Sequence, residues 1–276
     1  MIGKLNAVRP LPAKPSNRRS PFRCLRMEPL EYRALLAADI LGLSSGVEHN
    51  ASEAVFIPTI VAGQSPDSPS ARLDANNTSS LFTGVGSLIM QKGRSQYICT
   101  GTLIDATQFA PNSTDSYVLT AAHCLDSNNN GSIDFDSSGV TFYLNTGEYN
   151  GLTNGHSHTV QAASLHVSPD FTGFNRPAVN DDIAIIKFAS PIPDVTAYRL
   201  RSTPVERGTA ITLVGYGQSG SGVNGYTEGA SRYFKRVGGN VIEEFNGDDD
   251  GQPGRNEVYF ADFDGPNGDG LGNSIE

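Results

Sequence analysis

The sequence contains no tryptophan, only three cysteines, and no apolar run near the roughly 18 residues that a membrane-spanning helix needs. The missing apolar run rules out a helical membrane span. The cysteine count rules out a disulfide-stapled miniprotein. Cys24 falls in a basic leader, which leaves one pair, Cys99 and Cys124, for a body that must hold itself together mainly by a core. A Cys99–Cys124 bridge would call for an oxidising compartment. No stretch shows a helical period of useful length and no internal repeat is found, which sets a helical bundle aside. Positive charge is concentrated at one end. The first 33 residues hold eight Lys/Arg against two Asp/Glu, a balance of +6, and the whole chain is −9, so the remainder carries −15. With the basic residues in the leader and not on a folded face, nucleic acid is not an expected partner.

What is present has the texture of a loop-rich β protein, with 38% hydrophobic residues and plentiful Gly and Pro. Residues 1–43 read as a basic leader ending in the short apolar run ALLAADILGL (34–43). Within them RMEPLEYRALLA (26–37) resembles an export-associated motif near the start of large secreted bacterial proteins. A secreted or extracytoplasmic location is therefore expected. Residues 44–80, rich in Ser, Asn, Asp and Pro, read as a linker or pro-segment. From there to 276 short β-branched and aromatic runs alternate with turn residues: 82–91, 97–105, 115–124, 139–145, 181–189 and 209–217. The expected fold is all-β, a barrel or a sandwich.

The strongest motif is CTGTLI (99–104) followed by VLTAAHC (118–124). A disulfide whose second cysteine immediately follows His123 would clamp the backbone beside that ring, as a general base held in one orientation requires. Ala121 and Ala122 leave room around it. These residues resemble the chymotrypsin/trypsin family of serine endopeptidases, in which the catalytic histidine sits in a TAAHC motif and the second cysteine pairs with one in a CxGxLI-like strand. The resemblance covers about residues 80–276, most securely 97–124 and 180–219. It implies a double six-stranded β-barrel, a Cys99–Cys124 disulfide, His123 as general base, protein or peptide substrates, and no required cofactor.

Fifty-nine residues after His123, NDDIAIIKF (180–188) places a carboxylate at the entry to an apolar strand. Such a group is costly there without a partner. The resemblance implies that Asp182 orients the histidine, with Asp181 a solvent-facing neighbour. GYGQS (215–219) resembles the family's Gly-aromatic-Gly turn in the second barrel.

The family's nucleophile lies in Gly-Asp-Ser-Gly-Gly, and no such string occurs here. GQSGSG (217–222) belongs to the earlier turn, and Ser274 lacks the following glycines. The expectation is a partial protease domain over 81–276, its second barrel incomplete, its serine outside the chain, and the chain itself inactive. IVAG (60–63) resembles the family's IVGG start and makes Ile60 a candidate new N-terminus, although Thr59 precedes it in place of Arg or Lys. DSNNNGSID (126–134) approaches a calcium-loop pattern with Asp126, Asn128, Asn130 and Asp134 as candidate ligands. The competing reading is a polar loop with no ion. DDDG (248–251) and DFDGPNGDG (262–270) are similarly acidic. A zinc site from His156 and His158 lacks further spaced ligands, and His49, His156, His158 and His166 read as solvated residues in linker or loops. Two alternatives to an enzyme are a non-catalytic protease homologue acting as a binding module and a calcium-dependent extracellular structural module.

Overall fold

The computed structural model describes residues 60–63, 66–74, 80–144, 158–173, 181–221, 224–246 and 258–261. The leader 1–43, most of the segment 44–80 and both later acidic stretches lie outside the described residues. All described residues belong to one compact unit, Ala34–Glu276.

The chain is all-β, as the alternation of its short strands predicts. Its largest sheet has seven strands: β2 (Val85–Lys92), β3 (Ser95–Ile104), β4 (Ser116–Thr120), β5 (Val140–Leu144), β6 (His158–Gln161), β7 (Ser164–Val167) and β8 (Ala184–Phe188). They lie in the order β6-β5-β2-β3-β4-β8-β7, every neighbouring pair antiparallel. The sheet curls into a half-barrel consistent with a trypsin-like fold. Alternate residues drive the curl by pointing to one core. β4 buries Ser116, Val118 and Thr120, β5 buries Val140, Phe142 and Leu144, and β8 buries Ala184, Ile186 and Phe188. Phe142 and Phe188 meet across that core with ring centroids 5.8 Å apart.

Two glycines in this sheet have definite jobs. Gly93, at φ 60°, supplies the left-handed conformation of the two-residue turn between β2 and β3. Gly101, inside the CTGTLI motif, sits where a Cβ would come within 2.5 Å of Val118 Cγ1 and 3.0 Å of Leu88 Cδ1. A methyl group there would force two core side chains off their positions.

The later chain forms smaller sheets. β9 (Ala210–Gly215) pairs with β12 (Arg236–Val241), and β13 (Glu244–Asn246) pairs with β14 (Val258–Phe260). β1 (Ile60–Ala62) runs parallel to β10 (Ser219–Ser221), which pairs in turn with β11 (Gly225–Glu228). Part of the stretch read as linker or pro-segment is thus built into a sheet. Its continuation is anchored as well: Asp67 accepts from Gly63 N–H and pairs with Arg72, Leu73 bridges Arg236, and Val237 N–H donates to the Arg72 carbonyl. His158 and His166 lie on strands β6 and β7 and not in loops. His158 is half-buried, while His166 is exposed with Nε2 3.0 Å from Ser164 Oγ.

Replacing Gly101 by alanine overpacks the contact between Leu88 and Val118, and we expect a loss of about 1–3 kcal/mol in urea or thermal unfolding. A variant as stable as the parent would show that the sheet adjusts freely at this point.

Candidate active site

Antiparallel pairing of β4 with β8 sets Thr120 opposite Ala184. The chain leaving β4 and the chain entering β8 therefore run side by side at the same end of the sheet. His123 lies just past the first and Asp182 just before the second, so residues far apart in sequence meet. Beyond β4 the chain turns into a single 3-10 turn, Ala122–Cys124. Its N-terminal amides would be orphaned, because Ala121 at the cap position has no side-chain acceptor.

Asp182 fills that gap from the other strand. Its Oδ1 accepts from the His123 backbone N–H at 2.8 Å, and its Oδ2 lies 2.7 Å from Nδ1 of the His123 ring. One carboxylate thus caps the turn and orients the imidazole that the turn carries. Burial pushes the Asp182 carboxyl up, but its bonds to the His123 ring and to the amides of His123 and Ala122 outweigh that, leaving it below the usual carboxylate value. Asp181, just before it, is half-buried and takes a left-handed φ of 54°, and its carbonyl accepts from Ile183 N–H at 2.6 Å. This tight reversal turns the chain into β8.

The other side of the turn is held by the Cys99–Cys124 disulfide, which joins β3 to the residue after His123 across a sequence separation of 25. On the chain-entropy model such a closure contributes about 3.5 kcal/mol. Nearby, Thr120 Oγ1 donates to the Thr100 carbonyl, and Thr100 Oγ1 accepts from Tyr216 N–H at 2.9 Å. The Gly-Tyr-Gly turn at 215–217 is thereby tied to the disulfide strand, with Tyr216 fully buried.

The candidate calcium ligands are engaged with one another and with the backbone. Asp126, 5% exposed, accepts from Asn130 N–H and Gly131 N–H, and Asn130 Oδ1 accepts from Ser132 N–H. Asp134 accepts from the Ser127 hydroxyl and the Asn128 amide, and Lys92 Nζ lies 3.1 Å from its Oδ1. Burial raises the Asp134 carboxyl, and the Ser127 and Lys92 contacts bring it below its ordinary value. Ile60 begins β1, its backbone opposite Ser219. His49, His156 and Ser274 lie outside the described residues.

Sequence reasoning missed a buried ionic cluster under the second group of strands. Lys235 is 0% exposed and donates to the Phe82 carbonyl while lying 2.8 Å from Asp74 Oδ2, and Asp74 also accepts from Ser80 Oγ. Burial pulls the Lys235 ammonium down, against the opposing pull of Asp74. Arg236, 4% exposed, donates through Nε to the Pro69 carbonyl. The one available signal was the adjacent Lys-Arg at the start of β12.

Residues 71–202 match the family model for the lysyl endopeptidase C-terminal domain, a trypsin-like serine protease family. No curated protein matches the chain. The matched stretch holds the entire seven-stranded sheet together with Cys99, His123, Cys124 and Asp182, and it relates that sheet to a peptidase lineage. It begins inside the segment read as a linker, close to where Arg72 and Leu73 join the later strands.

Two outcomes follow. Because the folded-state Asp182 carboxyl is depressed, its contribution to stability is present above the unfolded value near 4 and fades as pH falls through the lower folded value. Urea midpoints of the parent and of Asp182→Asn, compared from pH 7 to pH 3, should converge on acidification; a constant gap would separate Asp182 ionisation from stability. Asp126→Ala strands two backbone N–H groups and should cost about 1–3 kcal/mol in the same assay.

Proposed function

We propose that this domain carries the histidine and aspartate of a serine endopeptidase site and that its lineage cleaves peptide bonds by acyl transfer. The observation that carries the reading is the double grip of Asp182 on His123, through the ring and through the backbone. A half-buried carboxylate that holds Nδ1–H fixes the tautomer in which Nε2 accepts a proton. In the proposed reaction His123 takes the proton of a serine hydroxyl as that oxygen attacks the scissile carbonyl. Asp182 stabilises the imidazolium that forms. The proton then passes to the leaving amine, and water, activated in the same way, releases the acyl group.

None of the described residues is assigned the nucleophile, and the sequence has no Gly-Asp-Ser-Gly-Gly string. The 276-residue chain taken by itself is therefore proposed to be catalytically silent. Secretion, with the Cys99–Cys124 bridge formed during export, fits the leader composition. Ile60 is proposed as the new terminus after processing, and the docking of β1 alongside β10 supports this reading. The chemistry assigns calcium no step; at 126–134 it would serve stability alone, and calorimetric titration gives a binding heat if the loop takes the ion.

Two measurements test the proposal. A fluorophosphonate probe should leave the purified chain unlabelled, and stoichiometric labelling would place the nucleophile within it. Proton NMR should show a strongly downfield Nδ1–H of His123 that disappears in Asp182→Asn. If that signal is missing from a folded parent, the two residues are not paired as an acid–base couple, and the binding-module alternative gains.

A further inference from the structure

Among the described residues, one buried side chain has a nitrogen left without a bond. Arg236 is 5% exposed at its side chain, and its Nε donates to the Pro69 carbonyl. Its Nη1 is enclosed and has no hydrogen-bond partner among the described residues. A guanidinium carries five N–H donors and does not shed its charge, so an enclosed, unpaired nitrogen is costly and calls for an acceptor. Burial pulls the Arg236 guanidinium down from its ordinary value, and Glu228 pulls it the other way.

The neighbouring carboxylates differ in how far they are committed. Asp67 is held by Arg72 and by the N–H groups of Gly63 and Ser68, and Asp74 is held by Lys235 and Ser80. Glu228 makes no side-chain hydrogen bond among the described residues and is 49% exposed, yet its Oε2 lies 3.9 Å from Arg236 Nη2. Because Pro69 takes Nε, the open edge of the guanidinium is the one formed by Nη1 and Nη2. A carboxylate meets such an edge with two parallel bonds. A shift of about 1 Å in the Glu228 side chain brings Oε2 to hydrogen-bonding distance.

Backbone register shows what this pair spans. Arg236 stands opposite Gly215 and Glu228 opposite Ser219, the two ends of the Gly-Tyr-Gly-Gln-Ser turn that links β9 to β10. Between Ser219 and Gly220 the pairing skips Thr227 of β11, a bulge directly before Glu228. Bulges re-aim the side chains beside them. The chain between the two residues also crosses the turn, since Ser231 N–H donates to the Tyr216 carbonyl.

We propose that Glu228 closes on Arg236 as a two-bond fork, a clasp that fastens both ends of the turn at 215–219. Closure gives Nη1 its acceptor and ties β11 to β12. The fastened turn is the one whose Tyr216 N–H bonds to Thr100 Oγ1, next to Cys99 in the disulfide strand. The clasp therefore steadies the contact between the later strands and the sheet that carries His123. It holds whether or not His123 acts as a base.

The test uses the full chain with isotope-labelled arginine, with circular dichroism monitoring the fold. A fork bound at both nitrogens stops rotation about Nε–Cζ. We expect separate Nη1 and Nη2 signals for Arg236 in heteronuclear NMR, assigned by through-bond connection along its side chain. Glu228→Ala, at the exposed edge of its sheet, should merge the two signals and speed hydrogen exchange at the Tyr216 amide about tenfold. Glu228→Gln keeps an acceptor without the charge and should exchange at an intermediate rate. Separate signals that persist in Glu228→Ala would overturn the proposal, because another acceptor then holds Arg236. Merged signals in the folded parent, or a Tyr216 exchange rate unchanged in Glu228→Ala, would overturn it equally.

Discussion

A single carboxylate holds the site together. Asp182 reaches from the start of β8 to the turn beyond β4 and binds both the backbone and the ring of one residue, His123. The turn would otherwise begin with unsatisfied amides and the carboxylate would otherwise be half-buried without a partner, so each group removes the other's penalty. The disulfide closes the remaining freedom from the β3 side. His123 is thereby held on three sides by elements of one sheet, with its orientation set by the fold itself. That is the kind of preorganisation on which general-base catalysis depends.

Much of this was legible in the sequence. Strands β2, β3, β4, β5, β8 and β9 announce themselves by β-branched and aromatic runs bounded by turn residues, and the two cysteines flank a histidine in a recognisable string. Asp182 could be named because NDDIAIIKF, read after TAAHC, resembles the aspartate strand of the trypsin-like family. Strands β6, β7 and β10 to β14 were not legible, for a physical reason. HTVQ, SLHV and GYTE are too short and polar to stand out, and RVGGNV carries two glycines where a strand should carry side chains. Their conformation comes from pairing with neighbours already in place, which local propensity does not register. The buried Lys235–Asp74 pair left only the adjacent Lys-Arg as a signal, because its partners are far apart in sequence and Asp74 lies in a stretch that reads as a linker or pro-segment.

That ionic cluster shows how the early segment is attached. Lys235 and Arg236 leave water almost entirely, and both turn toward the chain before β2: Asp74, Phe82 and Pro69. Taking two cations out of water is expensive, and a buried pair seldom adds net stability over apolar packing. What the contacts show is attachment: the ammonium meets Asp74 and the Phe82 carbonyl and so ties the early segment to the start of β12. The backbone bridge between Leu73 and Arg236 reinforces that placement.

The register between β4 and β8 reaches beyond the two residues it unites. Their meeting is set by Thr120 facing Ala184, and the chain between the two strands returns to the same sheet as β5, β6 and β7, the last of them pairing with β8. A change of length in the loops between those strands leaves that register intact, whereas a slip of a single residue in either strand would carry one member of the pair away from the other. Freedom to change length is therefore confined to the loops, because the strands they join build the same core that fixes the pair.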